Sequence, residues 1–230
     1  MTKRKIVIVG ASRGIGAALV ELLHKDPMNE MLAVSRNLKE LERRFLNLER
    51  VSVQQLDLCA DVQHQATEIF SRFGAIDVLI NNAGLLVNKP FDQLNHDDIS
   101  ASYQVNVIGV METVQAALPY LNPNGSHIVN ISSMGGFQGT VKFPGLAAYS
   151  TSKAALCSFT ELFAEEYKDS SIKMNCLCLG AAQTEMLEAA FPGYQAPLSA
   201  SEMAEFIADF ALNGQRWING KILPVSLSTP

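Results

Sequence analysis

The stretch "VIVGASRGIGAAL", Val7–Leu19, decides how the rest of the 230-residue chain is read. Val7, Ile8 and Val9 form a short apolar run of the kind a strand buried on both faces requires. Three glycines follow, Gly10, Gly14 and Gly16, and then a helix-forming run begins at Ile15. Glycine allows a tight turn and removes the Cβ atoms that would hold a phosphate or a neighbouring strand away. The first N–H groups of such a helix face an anion with no intrahelical partner of their own. The spacing therefore predicts a dinucleotide site at the first strand–helix turn, built from Gly10, Ser12, Arg13, Gly14, Ile15 and Gly16.

The same alternation repeats along the chain. "KIVIVG", "MLAVS", "VSVQQLD", "IDVLIN", "SHIVNIS", "IKMNCLCLG" and "GKILPV" read as strands. Helical patterns fall between them, at Ile15–Lys25, Leu38–Leu46, Ala60–Phe73, Asp97–Leu121, Tyr149–Tyr167 and Ser201–Leu212. Strand–helix alternation from end to end predicts an α/β chain: a doubly wound parallel sheet of about seven strands, with helices on both faces. No linker or repeat divides it, so residues 1–230 read as a single domain that binds a dinucleotide and carries the catalytic groups. The looser stretches Gly135–Leu146 and Phe191–Ala200 are expected to lie over the site, with a short substrate lid at about 187–200.

Composition excludes several functions. A net charge of −5 with no basic stripe gives nucleic acid no electrostatic footprint. The apolar run before Gly10 is about five residues, too short for the apolar core of a signal peptide, and no stretch approaches the roughly 20 apolar residues of a membrane span. A cytoplasmic location with no membrane partner is the expectation. Cys59, Cys157, Cys176 and Cys178 show no paired CxxC spacing, and no His/Asp/Glu cluster has ligand spacing. They are expected to be buried thiols, and no metal is expected.

The end of the second strand bears on cofactor choice. An NAD site places an acid there for the ribose 2′-OH. "AVSRN" has Ser35 in that position and Arg36 after it. With Arg13, these residues suit a 2′-phosphate, so NADP (NADPH) is the expected cofactor.

In this order, the motifs resemble the classical short-chain dehydrogenase/reductase family. "GASRGIG" is similar to its cofactor fingerprint, "LDL" (Asp57, Leu58) to its adenine-contacting segment, and "NNAG" (Asn82, Ala83, Gly84) to the signature after its fourth strand. "VNVIG" carries Asn106, "IVNISSMGG" carries Ser133, and "YSTSK" carries Tyr149 and Lys153. "GAAQTEM" resembles the nicotinamide loop, with Gly180, Ala182 and Thr184. Leu179-Gly180 stands where the family usually has Pro-Gly, and the C-terminus lacks the paired glycines common there.

The resemblance implies a Rossmann fold and an oxidoreductase that moves hydride between NADP(H) and a carbonyl or alcohol. Tyr149 is the general acid or base, and Lys153 lowers the phenol's pKa and bonds the nicotinamide ribose. Ser133 bonds the substrate oxygen, with Ser132 as runner-up, and Asn106 holds a water linking Lys153 to solvent. The resemblance also implies a homodimer or homotetramer, with apolar Leu156, Phe159, Leu162 and Phe163 on one of the pairing helices.

Leu85, Leu86, Phe137, Phe143, Leu146, Met186, Phe191 and Tyr194 are expected to line the pocket, which points to a small-molecule apolar or aromatic ketone or aldehyde. Alternatives are a non-catalytic NADP-binding sensor or scaffold and a 3-oxoacyl thioester reductase. An epimerase or dehydratase would need more chain to build a substrate domain.

Overall fold

The computed structural model describes residues 3–227. Nine strands, β1 (Arg4–Val9), β2 (Asn29–Ser35), β3 (Val51–Gln55), β4 (Val78–Asn81), β5 (Ser126–Ser133), β6 (Ile172–Leu179), β7 (Ala182–Gln183), β8 (Leu198–Ser199) and β9 (Ile222–Val225), are joined by eight α-helices. These are α1 (Gly14–Leu23), α2 (Leu38–Phe45), α3 (Val62–Phe73), α4 (His96–Tyr103), α5 (Gly109–Ala117), α6 (Ala147–Glu166), α7 (Glu185–Ala190) and α8 (Ala200–Asn213).

Seven of the strands form one parallel sheet in the order β3-β2-β1-β4-β5-β6-β9. This is the doubly wound, single-domain Rossmann-like arrangement. The order reverses between β1 and β4, and the crevice above that point is where such sheets hold ligands.

The apolar runs form the centre because parallel strands with helices on both faces have no solvent side. Alternate residues of β1 feed opposite layers: Ile6 and Ile8 pack with α1 and α8, while Val7 and Val9 pack with α3 and α5. All four are buried, each worth about 1.5–3 kcal/mol. The edge strands differ. β3 is largely exposed, with Ser52, Gln54 and Gln55 facing water, and β9 carries Pro224; polar edges and proline both discourage pairing with another chain.

The helix expected over Asp97–Leu121 is not continuous. A π-helical turn at Gln104–Ile108 separates α4 from α5, and a 3₁₀ turn at Leu118–Tyr120 ends the segment. The π turn holds Asn106, and insertions of this kind concentrate at functional sites. A further two-stranded sheet, β7–β8, together with α7 ties the 187–200 segment to the end of the main sheet. Cys59 departs from the expected burial: it is exposed in the turn after β3, where its N–H donates to Asp57 Oδ1. No described helix is long and apolar enough to cross a membrane.

Candidate active site

A cleft of about 890 Å³ runs across the C-terminal ends of β1, β2, β4, β5 and β6. At one end lies the glycine loop. Gly10 has φ 86°, and a Cβ there would lie 2.6 Å from Ala83 Cα, so only glycine lets the turn close on the β4 loop. Gly16 stands outside the cleft. It lets α1 pack on the turn, since a Cβ there would sit 2.1 Å from Gly10 O.

Asn37, Asp61, Asn95, Thr184 and Ser199 cap α2, α3, α4, α7 and α8 with side-chain oxygens. α1, whose N-cap is Arg13, has no such cap, as is also true of α5 and α6; at the glycine loop this leaves the first-turn N–H groups of α1 for an anion. The loop, the uncapped helix and the size of the cleft fit a dinucleotide.

The remaining predicted contacts line the same cleft: Ser12, Arg13, Gly14, Ile15, Ser35, Arg36, Asp57, Leu58, Asn82, Ala83, Gly84, Gly180, Ala182 and Thr184. Ser35 is buried, and its hydroxyl donates to Asn37 O (3.3 Å), while Arg36 is exposed beside it. Among the described residues, neither Arg13 nor Arg36 forms an ion pair. Arg43 and Arg44, which line the cleft and were not expected there, are paired with Glu40 and Glu21.

At the other end, Tyr149 and Lys153 project from the first turns of α6 against the end of β5. Ser132 and Ser133 point to opposite sides, as strand alternation requires. The Ser132 hydroxyl is buried and donates to Lys153 O (2.8 Å), so it fastens α6 to the sheet. Ser133 is half-buried in the cleft and accepts from Gly135 N (3.2 Å).

Burial raises the pKa of Tyr149, and contact with the Ser133 hydroxyl pulls it the other way. In the chain alone, burial and not the Lys153 charge sets the direction of that shift. Lys153 Nζ stands 5.9 Å from the Tyr149 ring centre and donates to Ile131 O (2.8 Å), and burial pulls its own pKa down to about 8. A buried phenol loses more from desolvation than this distant ammonium returns.

Asn106 stands behind the cleft wall. Its Oδ1 accepts from Leu85 N (2.8 Å), and its Nδ2 donates to Leu85 O (2.9 Å) and Ser152 Oγ (2.9 Å). Leu85, Leu86, Phe143, Leu146, Met186 and Phe191 line the cleft mouth, and Phe143 meets Phe191 edge-on across it at 6.2 Å. Tyr194 does not line the cleft, and Phe137 turns away to pack on Cys157, Cys176 and Cys178.

Those three thiols form a group that spacing alone could not reveal, because Cys157 comes from α6 and the other two from β6. Hydrogen bonds from Cys176 and Cys178 hold the Cys157 thiol well below the ordinary range. The shared bonds and burial push the other two up.

A family model described as short chain dehydrogenase matches residues 4–195. An uncharacterized oxidoreductase of Staphylococcus aureus (strain MW2) is 29% identical over 224 residues, covering 95% of each chain. The 3-amino-tetrahydro-pyrrolizinone reductase of Xenorhabdus hominickii is 31% identical over 188 residues, covering 80% of this chain and 63% of that one. Among solved structures, a short chain dehydrogenase from Burkholderia cenocepacia J2315 in complex with NADP superposes with a TM-score of 0.86. It shares 27% identity and covers 98% of this chain and 97% of its own.

Proposed function

The chain belongs to the short-chain dehydrogenase family, and from that premise we propose that it is an NADP(H)-dependent reductase of apolar or aromatic ketones and aldehydes. The observation that carries this reading is one cleft joining an uncapped glycine-loop helix to a buried Tyr149, with Ser133 and Lys153 beside it. The NADP in the Burkholderia relative and the reductase name of the Xenorhabdus relative support it.

Bound NADPH supplies hydride. Gly10, Ser12, Arg13, Gly14 and Ile15 would hold its phosphates, with Gly16 closing the turn from outside the cleft; Arg13 and Arg36 would hold the 2′-phosphate, and Asp57 and Leu58 the adenine. Asn82, Ala83, Gly84, Gly180, Ala182 and Thr184 flank the nicotinamide half.

Tyr149 gives its proton to the carbonyl oxygen. Its raised pKa keeps the phenol protonated at neutral pH, the state an acid needs in the reductive direction. Ser133 donates to the same oxygen as charge develops there. Lys153 spends one N–H on Ile131 O and keeps two for a ribose. Asn106 fixes Leu85 and Ser152 on either side of this group and keeps one Oδ1 lone pair for a relay water.

The mouth is apolar. The one cation of the 135–146 loop, Lys142, is turned onto Gly135 O (2.8 Å) and Phe137 O (2.6 Å) and does not line the cleft. NADPH consumption against matched neutral and carboxylated ketones, aldehydes, quinones and 3-oxoacyl thioesters tests the proposal. The neutral member of each pair should have the higher kcat/KM. A preference for the anionic member overturns the substrate reading, and no turnover on any of them favours an NADP-binding sensor.

A further inference from the structure

The chemistry above leaves Cys157, Cys176 and Cys178 without a role. Cys176 and Cys178 are two apart on β6 and so face the same side of the sheet, where α6 sets Cys157 over them. Cys157 Sγ lies 3.9 Å from Cys176 Sγ and 3.5 Å from Cys178 Sγ. All three sulfurs fall within 4.8 Å of one another, and none is in a disulfide.

A point equidistant from three sulfurs so spaced lies roughly 2.1–2.4 Å from each, matching a metal–thiolate bond of about 2.3 Å. No carboxylate or imidazole joins the group among the described residues. Met134, Phe137 and Ile222 pack around it, and Ser132 Oγ receives the Cys157 S–H at 3.5 Å. A sulfur-only set rejects hard cations, and zinc's structural sites take four donors. Three sulfurs in an apolar shell suit a soft, low-charge ion. The Lys153 ammonium, one helical turn from Cys157, opposes the excess thiolate charge. The partly buried Met134 thioether, on the segment that follows β5, gives a soft route in from the surface.

We propose that Cys157, Cys176 and Cys178 form a three-sulfur site for a single Cu(I) ion, beneath the catalytic face of α6. Binding converts three thiols and one Cu(I) into a copper tristhiolate and releases three protons to solvent; nothing is oxidised or reduced.

The test offers the reduced full-length chain, under anaerobic conditions, Cu(I) as its coloured bicinchoninate complex. The wild type should withdraw one equivalent per chain, and Cys59→Ser, which alters the exposed cysteine, should do the same. Cys157→Ser, checked for folding by circular dichroism, should bind about 100-fold more weakly. Copper-edge X-ray absorption on the loaded wild type should give three sulfur neighbours at about 2.3 Å, which decides the matter without a variant if Cys157→Ser does not fold. Substoichiometric uptake, copper that survives Cys157→Ser but is lost with Cys59→Ser, nitrogen or oxygen neighbours, or loss of two thiols to a disulfide would each overturn the site.

Discussion

Arg36 stands at the point where an adenosine ribose would meet the end of β2. A NAD site needs an acceptor for the 2′-OH, and the side chain in that position, Ser35, is buried and turned to Asn37 O. The exposed Arg36 and Arg13 carry no ion pair among the described residues, so neither must break one to meet a phosphate. NADPH should bind at least about tenfold more tightly than NADH, a gap of about 1.4 kcal/mol, and Arg36→Asp should shrink it. Fluorescence titration with both cofactors reads this directly, and equal affinities in the wild type reject the assignment. Tyr149→Phe removes one hydroxyl and leaves the ring packed, so NADPH affinity should hold while turnover falls about 10²–10⁴-fold. A variant that keeps full turnover on a verified substrate would remove Tyr149 from the chemistry. These side chains were legible in the sequence because they sit in short contiguous motifs, each made by one loop or one helical turn. The thiol group was not, because Cys157 reaches its partners from 19 and 21 residues away on another element. The upward pull of burial on the Tyr149 pKa was not legible either, because sequence spacing reports a neighbour's charge but not burial.

His127 ties β5 to two other elements. Its Nδ1 lies 2.9 Å from Ala211 O in the last turns of α8, so that nitrogen carries the proton. Its Nε2 then accepts from Asn175 Nδ2 on β6 at 3.0 Å. Burial pulls its pKa down to about 4, below the roughly 6.5 of an unfolded histidine. Between those values the unfolded chain binds the proton and the folded chain does not. The stability this histidine contributes is therefore complete above about pH 6.5 and is lost as pH falls toward 4. Urea unfolding at pH 7.5 and 5 should show the wild type losing about 2 kcal/mol that His127→Gln does not lose. Matching losses in the two proteins would mean that His127 is not held neutral. Element types were readable here because continuous apolar runs separate buried strands from helices. The break at Gln104–Ile108 was not, since a π turn inserts a residue without interrupting an apolar sequence such as "VNVIGV". The two-residue strands β7 and β8 carry too few positions for any period to show.

At the scale of the molecule, the helices beside the cleft leave apolar surface uncovered. On α6, Leu156 and Phe163 turn inward and Phe159 packs on the same core layer, while Leu162 stays 68% exposed. Of the four apolar residues noted on this helix, three thus serve the chain's own core and one is left outside it. The π turn, which packs on α6, exposes Ile108, and α5, which follows it in the chain, exposes Met111. A two-fold contact on a face that took in Leu162 with these residues would bury each of them twice. We expect a dimer through this face. Leu162→Glu removes about 1.5–3 kcal/mol of burial on each side, hence roughly 3–6 kcal/mol per dimer and about 10²–10⁴-fold in Kd. Light scattering at micromolar concentration should give the mass of at least two chains for the wild type and a shift toward one chain for the variant. A single-chain mass for the wild type rejects self-association. A variant that stays dimeric moves the interface elsewhere, to the exposed Phe206, Trp217 and Leu227 in the C-terminal segment that includes α8 and β9.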